Sequence, residues 1–265
     1  MAILETKALT RCFNGQTAVD ALTIAVEAGE VIGLLGPNGA GKTTTLKMLT
    51  TLLPPTSGTA SVAGFDIVRQ ARDVRRAIGY VPQLVSADGS LTGYENLLIF
   101  AKLYDIPRAE RQRRIHDALA FIGLTEAGDR MVREYSGGMI RRLEIAQSML
   151  HRPRVLFLDE PSAGLDPVAR RSVWEHIEEL RREYGTTIMI TTHLMEEADH
   201  LCHRVAIMHL GRVAAIGTPA ALKASLGGDQ TTLDDVFVHY AGGIVESGGG
   251  YREVSRTRRT AERLG

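Results

Sequence analysis

No apolar run in this 265-residue chain approaches the roughly 18 residues that a membrane-spanning helix requires. Its best runs, Val31–Leu35, Val155–Leu158 and Ile188–Ile190, have the length of buried strands. The opening residues, Met1–Glu5, lack a basic segment followed by an apolar core, so no secretory leader is read and the chain is expected to stay where it is made. An excess of one charge is missing as well, because 31 Lys and Arg offset 31 Asp and Glu. Dedicated nucleic-acid binders carry a basic surplus to neutralise phosphates, so no nucleic-acid partner is expected. The only two cysteines, Cys12 and Cys202, are far apart, which excludes a disulfide framework and suits a reducing compartment. Lysine is scarce, with five residues at Lys7, Lys42, Lys47, Lys102 and Lys223, so a lysine inside a motif carries information.

What is present is enough apolar residue, 44%, for one large domain with a modest appendage. Loose alternation predicts a half-buried strand over Ala18–Val26, followed by a turn at Glu27–Glu30 and a buried strand at Val31–Leu35. A Gly-rich loop, Gly36–Gly41, leads into a helix predicted over Lys42–Leu53 and stopped by Pro54 and Pro55. A strand resumes at Thr59–Val62. From about Thr92 to Leu150 the texture is helical, with segments at Asn96–Tyr104 and Ala109–Ile122. The pattern then returns to strand, helix, strand at Val155–Leu158, Pro167–Tyr184 and Thr187–Thr191, as an α/β core with parallel strands would. Met195–Arg204 reads as helical. Leu233, Val236, Phe237 and Tyr240 are spaced for a short docked helix. Glycines at 242–243 and 248–250 then read as linker. The last segment, Tyr251–Gly265, holds five Arg and two Glu and reads as a disordered basic tail, or alternatively as a contact for anionic lipid or a partner. The division expected is a main domain over 1–228 with a helical insertion at about 84–150, a docking helix over 229–242, and linker plus tail over 243–265.

The stretch Gly36-Pro37-Asn38-Gly39-Ala40-Gly41-Lys42-Thr43 fits G-x-x-x-x-G-K-[ST], placed between a strand and a helix. Its glycines let the backbone approach phosphate, and its amides and the helix N-terminus supply positive potential. Lys42 would reach the β- and γ-phosphates, Thr43 would offer a hydroxyl to Mg²⁺, and Thr44 follows in the first helical turn. The strand ending Leu158-Asp159-Glu160 would bring Asp159 to that Mg²⁺ and Glu160 to an attacking water, since ligands sit at the carboxyl ends of parallel strands. Taken without the loop, the two carboxylates read equally as caps of the next helix. A second Gly-rich helix start, Tyr135-Ser136-Gly137-Gly138-Met139, has Ser136 as N-cap and two glycines exposing first-turn amides. It is either a plain cap or an anion site, and one nucleotide does not need two such elements from one subunit.

Together these motifs resemble the nucleotide-binding subunit of an ATP-binding cassette (ABC) transporter. Gly36–Thr43 resembles its Walker A motif, Val155–Glu160 its Walker B, and Tyr135–Met139 its signature, with Tyr135 for the usual Leu and Met139 for the usual Gln. Gln83 in Tyr80–Gln83 resembles the Q-loop glutamine, Ser162–Asp166 the D-loop, and His193 the switch histidine. The resemblance implies an α/β P-loop NTPase core with an antiparallel β subdomain and an inserted α-helical subdomain, running from about Ile3 to Leu226. It also implies ATP and Mg²⁺ as ligands, with Mg²⁺ held by Thr43, Gln83 and Asp159. Glu160, His193 and Gln83 would act in ATP hydrolysis. Ser136, Gly137, Gly138 and Met139 would face the partner's nucleotide in a head-to-tail dimer, and Asp166 would bridge the subunits. Phe13 would stack on adenine or, alternatively, is a core aromatic.

Leu91–Leu97, the signature, Met195–Asp199 and Leu233–Phe237 resemble export cassettes of the daunorubicin-resistance type. That implies an integral membrane permease partner of ABC-2 type, a position on the inner face of the cell membrane, and export of a drug, antibiotic, lipid or polysaccharide. A soluble cassette acting on nucleic acid or ribosomes is the alternative, and the single cassette, the lack of a long heptad run and a basic arm no longer than the short tail speak against it. His200, Cys202, His203 and His209 are close in sequence, but no set among them has structural zinc spacing.

Overall fold

A computed structural model of the chain describes residues 2–227 and 231–242. The linker and basic tail expected at 243–265 lie outside them. In chain order the strands and helices are β1 (Ala2–Phe13), β2 (Gln16–Leu22), β3 (Ala25–Glu27), β4 (Val31–Leu35), α1 (Lys42–Leu49), β5 (Ser57–Val62), β6 (Phe65–Asp66), α2 (Ala71–Ala77), β7 (Ile78–Val81), α3 (Gly93–Leu103), α4 (Arg108–Phe121), α5 (Gly137–Met149), β8 (Val155–Asp159), α6 (Pro167–Tyr184), β9 (Thr187–Thr192), α7 (Met195–Leu201), β10 (Arg204–His209), β11 (Arg212–Gly217), α8 (Pro219–Ala224) and α9 (Leu233–Gly242).

Two sheets form. Strands β2-β1-β5-β6 make an antiparallel sheet, with β3 also paired to β1, and β11-β10-β4-β9-β8-β7 make the second. In the second sheet β10, β4, β9, β8 and β7 run parallel. The β10–β11 pair is antiparallel, so the expectation of a parallel core holds for all but its edge. Strands β4, β8 and β9 are buried along their whole length, as strands covered on both faces must be. One apolar cluster, including Leu34, Leu46, Phe157 and Met208, fills the space between the sheets and around α1. Another, including Val173, Trp174, Ile177 and Val236, lies on the opposite face of the parallel sheet under α6 and α9. A third, including Leu97, Ile115 and Leu143, holds α3, α4 and α5 together.

The structure corrects several expected boundaries. The helix after the Gly-rich loop ends at Leu49, not Leu53. Thr51 adopts φ 63°, and the amides of Leu52 and Leu53 fold back onto the Lys47 carbonyl, so the chain reverses before the prolines arrive. Ala18–Val26 is parts of two strands, β2 and β3, because the chain changes partner sites along β1 at Thr23 and Ile24. Met195–Arg204 is helical only to Leu201, after which the His203 amide donates to the Val31 carbonyl and β10 joins the sheet. The twelve residues of β1 and the hairpin β10–β11 had no clear signal. Both are bonded to strands remote in sequence, which local alternation does not encode.

Candidate active site

The parallel strands deliver their carboxyl ends to one rim of the sheet. There β4 hands over to the Gly-rich loop, β8 ends at Asp159, β9 ends at Thr192, and Gln83 lies two residues beyond β7. The loop needs its glycines for two separable reasons. Gly39 and Gly41 take φ of 81° and 101°, left-handed conformations that side chains disfavour. A Cβ on Gly41 would stand 2.5 Å from the Ala18 carbonyl oxygen, and one on Gly36 2.6 Å from that of Met208. The loop is thus pressed between β2 and β10, with Ala40 buried and Asn38 and Gly39 exposed at its crest.

Lys42, the first residue of α1, is only 5% exposed. Its ammonium donates to the carbonyls of Gly36 at 2.7 Å and Pro37 at 3.1 Å and lies 3.6 Å from Glu160 Oε1. Burial pulls its pKa below the usual lysine value, against the opposing pull of Glu160 and Asp159. Thr43 Oγ1 donates to Asp159 Oδ1 at 3.0 Å. Thr191, which the β8–β9 register sets opposite Asp159, donates to the same oxygen at 2.5 Å. Burial and the Asp159 charge push the Tyr80 phenol, on β7, up to about 12.

Glu160 is the meeting point. Its backbone takes φ 50°, unusual for a residue with a side chain, and its amide donates to both the carbonyl and the hydroxyl of Thr191 at 3.0 Å. That turn aims a buried carboxylate back over the rim. Oε2 accepts from Gln83 Nε2 at 3.1 Å and lies 3.2 Å from His193 Nδ1, while Oε1 faces Lys42. Five residues picked out in sequence, Lys42, Thr43, Gln83, Asp159 and His193, are therefore brought around Glu160 from four different segments. Thr44 sits half-buried in the first turn of α1.

The remaining expected residues lie elsewhere. Ser136 caps α5, accepting from the Met139 amide at 3.3 Å, and both Ser136 and Gly137 are exposed. Gly138 is packed on α6, where a Cβ would come within 2.8 Å of the Ala169 side chain. Asp166 caps α6, accepting from the amides of Val168 and Ala169 at 3.0 Å each. Phe13 is 41% exposed, which overturns the alternative of a core aromatic. Three of the residues considered for zinc take unrelated partners: His203 Nδ1 accepts from the Val31 amide, His200 leans on Trp174, and Cys202 packs against Gly33, while both ring nitrogens of His209 are buried without a hydrogen-bond partner.

Two buried groups escaped the sequence reading. On α5, Arg141 donates to the carbonyls of Pro82 at 2.8 Å and Gln83 at 3.0 Å, and pairs with Glu144 at 3.0 Å. Glu144 in turn accepts from the Ser86 amide and hydroxyl. One turn of α5 thus grips the backbone that carries Gln83. On α7, the buried Glu197 accepts from Ser162 Oγ at 2.6 Å and Trp174 Nε1 at 2.9 Å through one oxygen. It ties the turn after Glu160 to the helix after His193. Arg141, Glu144 and Glu197 are charges at buried positions, and the i, i+3 spacing of the first two on α5 is the signal that points to a pair.

The rim therefore offers an amide- and lysine-lined anion cradle, two hard oxygen ligands, and a carboxylate placed to accept a proton. A family profile described as "ABC transporter" matches residues 19–163. Over 230 residues the chain is 46% identical to the daunorubicin/doxorubicin resistance ATP-binding protein of Streptomyces peucetius, covering 87% of this chain and 69% of that one. It is 44% identical over 224 residues to the Nod factor export ATP-binding protein I of Paraburkholderia xenovorans (strain LB400), covering 84% and 73%. A solved ATP-binding subunit of an ABC transporter superposes with a TM-score of 0.80 at 31% identity, over 90% of this chain and 99% of that one. The chain belongs to the ABC transporter family and is one of its ATP-binding, ATP-hydrolysing subunits.

Proposed function

We propose that two copies of this chain close head to tail on two Mg-ATP molecules and thereby drive a separate membrane permease that exports a drug, antibiotic, lipid or polysaccharide. The observation that carries the reading is the convergence of Gln83, His193 and Lys42 on the Glu160 carboxylate. In this reading the amides and Lys42 of Gly36–Thr43 bind the phosphates, with Thr44 beside them. Glu160 accepts a proton from the attacking water, Gln83 orients that water, and His193 contacts the γ-phosphate. Phe13 stacks on the adenine. A divalent ion fits the donor set, since Thr43 and Asp159 present hard oxygens 3.0 Å apart with Asp159 almost wholly buried. Thr43 and Asp159, with Gln83, would hold it. When bound, Mg²⁺ neutralises charge on the β- and γ-phosphates.

The exposed Ser136 and Gly137 suit contact with a nucleotide on another copy, with Gly138 and Met139 completing that helix start and Asp166 at the seam. The domain layout follows: a cassette over 1–228, its helical insertion at about 84–150, and α9 as a docked C-terminal helix. No helix among the described residues is long and apolar enough to cross a membrane. Exposed Leu84 and Val85, next to Gln83, and exposed Leu103 on α3 suit a permease contact on the cytoplasmic face. The export assignment, with a permease of ABC-2 type, draws on the relatives named for daunorubicin resistance and Nod factor export.

The test is Glu160→Gln, which keeps the shape of the site but removes the proton acceptor. It should bind ATP, turn over slowly and elute as a dimer from a sizing column run with Mg-ATP. A monomer under those conditions would overturn the dimer mechanism.

A further inference from the structure

We propose that Arg11 is a positioning residue that sets the affinity of this subunit for the adenine base, acting through Phe13. The inference rests on the reading of Phe13 as the base platform and adds the residue beneath it. Phe13 closes strand β1, and its backbone partner across the hairpin is Gln16 on β2. Two residues further along β2, the Ala18 carbonyl oxygen lies against the phosphate loop, 2.5 Å from where a Cβ on Gly41 would stand. Strand rise is about 3.3 Å per residue, so the ring is carried only ~7 Å along the strand from the loop. On this hairpin, whose second strand meets the loop, the Phe13 ring is 41% exposed.

The ladder between β1 and β2 slips twice around Arg11, between Leu9 and Arg11 and again between Arg11 and Cys12. Such irregularities re-aim a side chain. Here the Arg11 guanidinium lies over the Phe13 ring, 4.6 Å from its centroid. The same guanidinium donates through Nη1 to the Pro54 carbonyl at 2.9 Å, while its Nε is buried without a hydrogen-bond partner. The Cys12 amide donates to Thr56 Oγ1 at 3.0 Å in the same place. Pro54 and Thr56 follow the turn that ends α1, the helix whose first residue is Lys42. Arg11 thus fastens the aromatic to the segment that carries the phosphate loop, and fixes the base platform relative to the phosphate cradle.

Two consequences follow. A cation on one ring face is held by the ring quadrupole and draws density toward itself, which favours an electron-rich purine on the other face. A ring held in place before the nucleotide arrives also loses less freedom on binding. Both act on the base and neither acts on the phosphates.

The test compares wild type with Arg11→Met, Arg11→Lys and Phe13→Ala, using purified full-length chain titrated with Mg-ATP and, separately, with Mg-tripolyphosphate, which has the phosphates but no base. Arg11→Met keeps the stem and removes the charge. It should weaken Mg-ATP binding about three- to fivefold, the scale of one exposed cation–π contact, and leave tripolyphosphate binding unchanged. In steady-state hydrolysis KM should rise while kcat at saturating ATP stays level, and Arg11→Lys should restore part of the loss. Phe13→Ala should cost about tenfold in Mg-ATP binding. Equal weakening toward both ligands in Arg11→Met would overturn the inference, because Arg11 would then act on the phosphates or on the fold. Wild-type Mg-ATP binding in Arg11→Met alongside a loss in Phe13→Ala would overturn it while leaving the platform in place. Wild-type binding in Phe13→Ala would remove the platform itself and the inference with it.

Discussion

Replacing Glu144 separates stability from turnover. Glu144 and Arg141 have side chains 1% and 7% exposed and stand 3.0 Å apart. Removing one partner of a buried ion pair leaves the other charge uncompensated and costs about 3–5 kcal/mol. Glu144→Ala also strands the Ser86 amide and hydroxyl. At about 2–4 °C per kcal/mol for a chain approaching this length, the melting temperature should fall by roughly 10 °C. Replacing both partners, as Arg141→Met with Glu144→Met, removes the stranded charge, and part of that loss should return. The shortfall comes from the Pro82 and Gln83 carbonyls, which lose their donors, and from the Ser86 amide and hydroxyl, which lose their acceptor, at about 1 kcal/mol each. Turnover should not return with stability, because the backbone bearing Gln83 is no longer gripped, and a catalytic group displaced by about 1 Å can cost up to ~100-fold. Thermal melts and Mg-ATPase rates on the same preparations decide it. A double variant with wild-type turnover would refute the argument that α5 positions Gln83. An unchanged melting temperature in Glu144→Ala would refute the buried-pair accounting.

Three further outcomes are expected. Lys42→Ala should lower ATPase activity by ~100-fold or more, the scale of one lost transition-state donor; wild-type turnover in a steady-state assay would contradict the phosphate role. His151 is stacked on Tyr104 at 3.6 Å with Nε2 on the Ile78 carbonyl, and burial pulls its pKa down to about 4. The unfolded chain, near 6.5, takes up the proton first, so stability should decline as pH falls from about 6.5 to 4, by up to about 3 kcal/mol, and hold level above that window. Urea melts across that range should show a shallower slope for His151→Phe than for wild type. Gly93→Ala should destabilise by about 1–3 kcal/mol, because its methyl would collide with the Tyr135 hydroxyl that donates to the Ala127 carbonyl. Tyr135→Phe in the same chain should recover part of that in a calorimetric scan.

How much was legible in advance follows from the range of the forces involved. Val31–Leu35, Gly36–Thr43 and Pro167–Tyr184 were readable because each is decided locally: a buried run, a backbone needing glycine, and a helix with Asp166 as cap, Pro167 at its first turn and Gly185 at its end. Lys42, Asp159 and Glu160 were readable as residue types set at the ends of such elements. The early end of α1 was not, since Thr51 reverses the chain immediately before Leu52 and Leu53, the apolar pair that continued the pattern. Nor was β1, whose partners lie in β2, β3 and β5.

The sequence by itself determined the phosphate loop, the order of the motifs and the chemistry each can perform, because backbone reach and side-chain type are local properties. Only the tertiary structure decided that Gln83, Lys42 and His193 meet on one carboxylate, that Arg141 and Glu144 hold the Gln83 backbone, and that Phe13 is exposed over Arg11. These depend on strand order and on which charges burial forces into pairs, and both are fixed when distant segments pack, not by any window of neighbouring residues.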